Sequence, residues 1–231
     1  ATRLGRFGYK AGTFSVKHQV VSALNADMGV LTSILPAPDC GSEQTDCDAS
    51  GAELADEHVD TLTKYIALLG VPARRDLEDS VALQGEVVFS SIGCAGCHRP
   101  TLQTSIYAPM TELRNQTIHP YTDLLLHDMG PGLADTLGEG VASGAEWRTA
   151  PLWGLGHSID VMVRDAKAND TISMAGSDED INRVGFLHDG RARTIDEAIR
   201  WHGGEAEQAK SGYEGLAEPE RAALIRFLES L

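Results

Sequence analysis

The sequence predicts a mainly α fold on three observations. Apolar residues recur at helical spacing in several separated segments. No β-rich alternation, internal repeat or low-complexity tract interrupts them. The one long stretch with few helical periods, 99–180, is rich in Gly, Pro, Asp and Thr, the composition of ordered loop.

Taken in order, Val16, Val20, Val21 and Leu24 mark a first amphipathic helix. A polar loop over roughly 33–52 follows, holding Pro36, Pro38, Cys40 and Cys47. Leu54, His58, Leu62, Tyr65, Ile66 and Leu69 mark a second helix, stopped by Gly70 and Pro72. Val71 to Asp76 reads as a connector. Val81, Gly85, Val88 and Phe89 share one face of a third helix that ends at Gly93. Thr194 with Glu197 three residues on is a capping box. The helix it opens carries Ile195, Ala198, Ile199 and His202 on one face, and Gly203-Gly204 break it. Pro219 then starts a last helix with Leu224, Ile225, Phe227, Leu228 and Leu231. The expected division is a helical extension over 1–75 and a main domain over 76–231.

Composition excludes several function classes. The 231 residues include 19 Lys+Arg and 34 Asp+Glu, a formal net charge of −15. Nucleic-acid binding needs a basic footprint, and an anionic membrane surface would repel this chain. With 42% hydrophobic and 23% charged residues the chain is ordinary globular protein, not disordered. No apolar run approaches the roughly 18 residues of a membrane span. The start, Ala1-Thr2-Arg3-Leu4, has no apolar signal region, so the chain reads as a mature form or a piece of something longer.

Cys94-Ala95-Gly96-Cys97-His98 carries the chemistry. C-x-x-C-H reads as c-type haem attachment: two thiols add across the two haem vinyl groups, and the adjacent histidine is placed to ligate the iron. Half of a zinc site and a thioredoxin-like redox pair are the alternatives. A zinc site needs a second ligand pair that Cys40 and Cys47 do not supply, and no βαβ context is evident for the redox pair. One covalent haem c is therefore expected, held by Cys94, Cys97 and His98. Covalent attachment happens outside the cytoplasm, where disulfides persist, so Cys40 and Cys47 are expected to pair and the protein to be periplasmic or otherwise extracytoplasmic. A helix that leads straight into C-x-x-C-H, with Gly85 and Phe89 on its inner face, resembles the first helix of class I cytochromes c. In that fold it crosses the C-terminal helix. Residues 76–231 are accordingly expected to be a class I cytochrome c-like haem domain with long loop insertions.

The sixth iron ligand separates electron carrier from catalyst. Candidates are Met28, Met110, Met129, Met162 and Met174, with His18, His58, His119, His127, His157, His188 and His202. A lone histidine on an apolar face is usually a satisfied core residue, but His202 closes such a stripe in a protein whose iron lacks a ligand. Met129, in a loop, is the runner-up, and its plain alternative is core filling. His188, in the turn His188-Asp189-Gly190, is third.

Four stretches together resemble the di-haem oxidoreductases of unassigned activity, often labelled peroxidases or thiol oxidoreductases. They are Cys94 to Pro100, Pro120 to Gly130, Glu146 to Gly154, and Phe186 to Thr194 continuing through Trp201-His202-Gly203-Gly204-Glu205-Ala206. The resemblance runs from Gly5 to the C-terminus and is specific, because several long motifs occur in one order. More distantly, Thr149-Ala150-Pro151 and His188-Asp189-Gly190 followed by Thr194 to Ile199 resemble the C-terminal domain of bacterial di-haem cytochrome c peroxidases. There the position eight residues after the Thr is the axial Met of the electron-transfer haem, and from Thr194 it falls on His202. The resemblance implies His in place of Met, and bis-His ligation lowers a haem potential relative to Met/His. It implies also that this chain, with one C-x-x-C-H, lacks the first haem domain and the tryptophan usually placed between the haems. A calcium ion commonly sits at that domain interface. The carbonyls of Thr149 and Pro151 match two of its ligands, so calcium is admitted but not predicted.

The expected function is electron transfer through a bis-His haem, as the electron-transfer half of a di-haem oxidoreductase. A redox protein or a second haem-bearing chain or domain would be the partner, with the acidic surface steering a basic one. The alternative is that the chain is itself a haem peroxidase or redox catalyst with an open or labile distal site. His127, Asp128, Glu146 or His188 would then serve as acid–base groups. Trp147, Trp153 and Trp201 are expected to fill core more than to carry electrons.

Overall fold

The computed structural model describes residues 3–41, 43–44, 47, 51–158, 161–162 and 185–231. It divides the chain into two units, Ala1–Gly70 and Val71–Leu231.

The first unit is built on α1 (Val16–Ala26) and α2 (Asp56–Ala67), which pack together. Ser15 caps α1 by accepting from the His18 N–H at 3.1 Å, and Val20, Val21 and Leu24 are buried, the face that their spacing predicts. On α2 the outcome differs. Val59 is the buried residue, while Tyr65, Ile66 and Leu69 stay 63%, 40% and 53% exposed. Apolar residues nearly encircle the end of α2, so their spacing does not decide which face turns inward. The helix also stops at Ala67, ahead of the Gly70 and Pro72 expected to end it. Cys40 and Cys47 form a disulfide with Cα atoms 6.5 Å apart.

The second unit is organised by α3 (Ser80–Ser91), α4 (Ile195–Arg200), α5 (Glu207–Glu214) and α6 (Glu218–Ser230). Asp79 caps α3 by accepting from the Val81 and Ala82 N–H groups. The inner face of α3 is Ala82, Gly85, Val88 and Phe89. Val81, expected on that face, is 46% exposed. At Gly85 a β-carbon would lie 2.0 Å from the Ala223 carbonyl oxygen, so α3 and α6 cross with their backbones in contact. Next to the crossing Phe89 meets Phe227 edge-on at 5.3 Å, and Tyr121 meets Phe227 at 5.7 Å. Leu224, Phe227, Leu228 and Tyr213 complete this core. Burying each such side chain contributes about 1.5–3 kcal/mol.

The division falls at Gly70/Val71, where the sequence reading put it at 75/76. The Arg75 N–H donates to the Ser230 carbonyl at 2.8 Å, and the Arg74 guanidinium lies 4.9 Å from the Phe227 ring centroid. Arg226 on α6 pairs with Asp76 and Asp79, both at 2.9 Å. The connector is thus part of the second unit.

Between α3 and α4 the described chain is mostly loop with two small antiparallel ladders. β1 (Leu102–Gln103) pairs with β2 (Thr117–Ile118), and β3 (Leu126–Asp128) with β4 (Glu146–Arg148). Strands this short carry no readable alternation in the sequence. Residues 159–160 and 163–184, and with them Met174, lie outside the described residues. Among the described residues no helix is long and apolar enough to cross a membrane.

Candidate functional site

Gly93, at φ 99°, turns the chain out of α3 into a short 3-10 turn, Cys94–Gly96. A residue with a β-carbon is strained there, so glycine is what allows the C-x-x-C-H run to follow the helix directly. The His98 N–H donates to the Cys94 carbonyl at 3.0 Å, which folds His98 back over the turn.

Two histidines face each other beyond it. The ring centroids of His98 and His202 lie 6.5 Å apart. His98 Nδ1 is 3.0 Å from the Tyr121 carbonyl oxygen, and His202 Nδ1 is 2.8 Å from that of Ala198. A carbonyl only accepts, so each Nδ1 carries the proton and each Nε2 keeps its lone pair. Burial pushes the His98 imidazolium down to about 4, and burial likewise lowers that of His202, so both rings are neutral near pH 7. Neutral imidazole is the form that ligates a metal.

Tyr121 gains its role from an unusual backbone. It sits at φ 52°, with Leu124 at φ 60°, in the left-handed region that side chains rarely adopt. Its buried ring is held by Phe89 and Phe227, and its hydroxyl donates to Glu86 at 3.4 Å. His202 lies beyond the helix rather than on it: α4 ends at Arg200, two residues earlier, and the His202 N–H bonds the Ile199 carbonyl in the turn that follows. The Thr194 hydroxyl accepts from the Glu197 N–H at 3.0 Å, one half of the expected capping box, while the Glu197 carboxylate accepts from the Arg193 N–H at 2.7 Å.

Cys94 and Cys97 are free thiols. Burial pushes the Cys94 thiol up to about 11, and burial also raises that of Cys97, with Asp123 and Glu205 adding to it. A thioredoxin-like pair works through a lowered thiol, so the direction of both shifts argues against that alternative. Cys97, Asp123 and His127 are the one group of three metal-capable side chains among the described residues. Its histidine is already engaged at both nitrogens: His127 Nε2 is 2.9 Å from Asp123 and Nδ1 2.8 Å from Glu205. Burial works against protonating His127, but the hydrogen bonds to Glu205 and Asp123 outweigh it and raise its pKa. Cys97 Sγ is 3.9 Å from His127 Nδ1. Neither Asp123 nor Glu205 stood out in the sequence. The spacing of Asp123 and His127 was the available signal, while nothing local pointed to Glu205.

Other sequence candidates lie elsewhere. His188 stacks on Trp147 with centroids 3.6 Å apart and planes 16° from parallel. His18 lies against Phe14 in the first unit, with the two rings tilted by 38°. His119 pairs with Thr101, and Met28 is 69% exposed. Trp153 and Trp201 are 36% and 38% exposed, so neither is the core filler expected of it. The Thr149 carbonyl accepts from the Thr122 hydroxyl at 2.7 Å and from Arg148 Nη1 at 3.1 Å.

Comparison with known families fits this arrangement. A family model described as "Di-haem oxidoreductase, putative peroxidase" matches residues 1–231. The chain belongs to the di-haem oxidoreductase family, and membership implies haem-based redox chemistry or electron transfer. No curated protein and no solved structure matches.

Proposed function

We propose that this chain is an extracytoplasmic c-type cytochrome unit, the electron-transfer half of a di-haem oxidoreductase. When bound, a haem supplies a one-electron couple at its iron. Cys94 and Cys97 would hold it through thioether bonds, and His98 and His202 would ligate the iron through Nε2. The histidine pair carries this reading. Two imidazoles each about 2 Å from a shared metal place their ring centroids about 6 Å apart, and here the separation is 6.5 Å with both Nδ1 protons tied to backbone carbonyls. Those carbonyls orient the rings and raise ligand basicity. The crossing of α3 and α6 at Gly85 supports a class I cytochrome c-like domain over 76–231. The Cys40–Cys47 disulfide supports an oxidising, periplasmic setting. With His98 and His202 both holding the iron, the chain would exchange electrons with a second haem-bearing domain or chain, or a redox protein.

The haem-loaded protein should give a low-spin oxidised spectrum without the long-wavelength sulfur-to-iron band of methionine ligation, and cyanide should bind weakly. A high-spin spectrum that changes readily with cyanide would instead favour the catalyst with an open distal site.

Calcium is left out of the proposal. Both lone pairs of the Thr149 carbonyl are taken, one of them by a guanidinium whose positive charge repels a second cation. Melting temperature should therefore be the same in calcium and in chelator, and a calcium-dependent rise would restore the ion.

A further inference from the structure

We propose that Glu205 is a positioning residue that selects His202 over Met129 as the sixth ligand. The inference rests on the reading of His98 and His202 as the axial pair.

His202 sits beyond the end of α4, and the two residues after it are glycines, Gly203 and Gly204. His202 bonds the Ile199 and Ala198 carbonyls of α4, but glycine is the least restrained residue, so the helix alone does not fix the turn that follows it. What fixes it comes next. Glu205 uses both carboxylate oxygens on β3: Oε1 accepts from the Asp128 N–H at 3.0 Å, and Oε2 meets His127 Nδ1 at 2.8 Å. His127 is braced from the other side by Asp123, whose second oxygen accepts from the Leu125 N–H at 2.9 Å. The carboxylate thus ties the turn to a strand already paired with β4.

The two loops touch backbone to backbone. A β-carbon at Gly204 would lie 2.1 Å from the Asp128 carbonyl oxygen, and one at Gly130 would lie 2.9 Å from the Gly204 nitrogen. One at Gly203 would lie 3.0 Å from the Met129 carbonyl oxygen. The main chain of Met129 therefore lies against the residue that follows His202. A nitrogen ligand and a sulfur ligand stand on neighbouring loops, and Glu205 is the side chain that fixes one loop against the other. Without it the glycine turn can withdraw His202, and a flexible thioether one residue from the latch can take its place.

The test uses the haem-loaded chain, with Glu205→Ala, Glu205→Gln and the double variant Glu205→Ala/Met129→Leu. Oxidised spectra, cyanide titrations and melting temperatures are recorded for each. The wild-type spectrum tests the axial pair itself: a sulfur band or a high-spin form there overturns that reading and this inference with it. With a bis-His wild type, Glu205→Ala should gain the sulfur band and bind cyanide at least about tenfold more tightly. The band should vanish in the double variant. Glu205→Gln keeps an oxygen for the Asp128 N–H and should stay within about twofold of wild type. An unchanged spectrum and cyanide affinity in Glu205→Ala overturns the inference even if melting temperature falls, because a merely structural brace would move stability alone. A high-spin Glu205→Ala protein with no sulfur band also overturns the selection. Should Glu205→Ala fail to load haem, His127→Leu removes only the ring end of the latch. Gain of the sulfur band there supports the proposal, and an unchanged spectrum overturns it.

Discussion

Replacing Gly85 with alanine should destabilise the second unit by about 3 kcal/mol or more, against total stabilities of about 5–15 kcal/mol for native proteins. Two effects oppose each other. Alanine in a helix interior is worth about 1 kcal/mol more than glycine. The added methyl, however, would stand 2.0 Å from the Ala223 oxygen, 2.6 Å from its carbon and 2.7 Å from Phe227 Cβ. Two of those three atoms are backbone and none is the movable end of a side chain. Relief requires α3 and α6 to separate, and separation opens the contacts of Phe89 with Phe227. The clash therefore wins. Denaturant unfolding of the haem-loaded variant would measure it, and a gain of about 1 kcal/mol, as propensity alone would give, would sink the argument. The effect extends to the site, because the same helix ends at Gly93 and delivers Cys94.

The helix ends and faces that the sequence displays are those fixed by local physics. Thr194 and Glu197 make a cap from side chains that reach their own backbone, and Val20, Val21 and Leu24 leave one direction for burial. Cys94, Cys97 and His98 are legible because they stand together as one short C-x-x-C-H run. The apolar face of Ile195, Ala198 and Ile199 leads on to His202, yet the helix ends at Arg200 and His202 meets His98 from the turn that follows. What was not legible depends on partners distant in the chain. The ladder that sets His127 opposite Trp147 spans only three residues per strand. Glu205 acquires its role from residues nearly eighty positions earlier, and before folding it is one of many acids on a chain rich in them. The left-handed turn at Tyr121, which aims a carbonyl at His98, occurs at a residue that gives no local sign of it.

His202→Met should raise the midpoint potential of the haem-loaded protein by an amount on the order of 0.1 V, within the span over which axial ligands set haem potentials. A thioether in place of imidazole favours the reduced iron relative to bis-His ligation. Methionine is long, flexible and apolar, so it fills the half-buried position with little strain. The variant gives up the Nδ1 bond to the Ala198 carbonyl, a cost of about 1 kcal/mol that leaves the fold intact. Redox titration followed by visible spectroscopy separates the outcomes: the potential rises and the sulfur-to-iron band appears together if the side chain at 202 binds the iron. His202→Ala sharpens the result, since it should leave a position that cyanide fills readily. A potential and spectrum unchanged in both variants would remove His202 from the iron and return the choice to Met129. The direction of the shift also bears on function. A carrier with two histidines gives electrons more readily than one with His and Met, so exchange of one side chain would weaken the domain as a donor to any given partner.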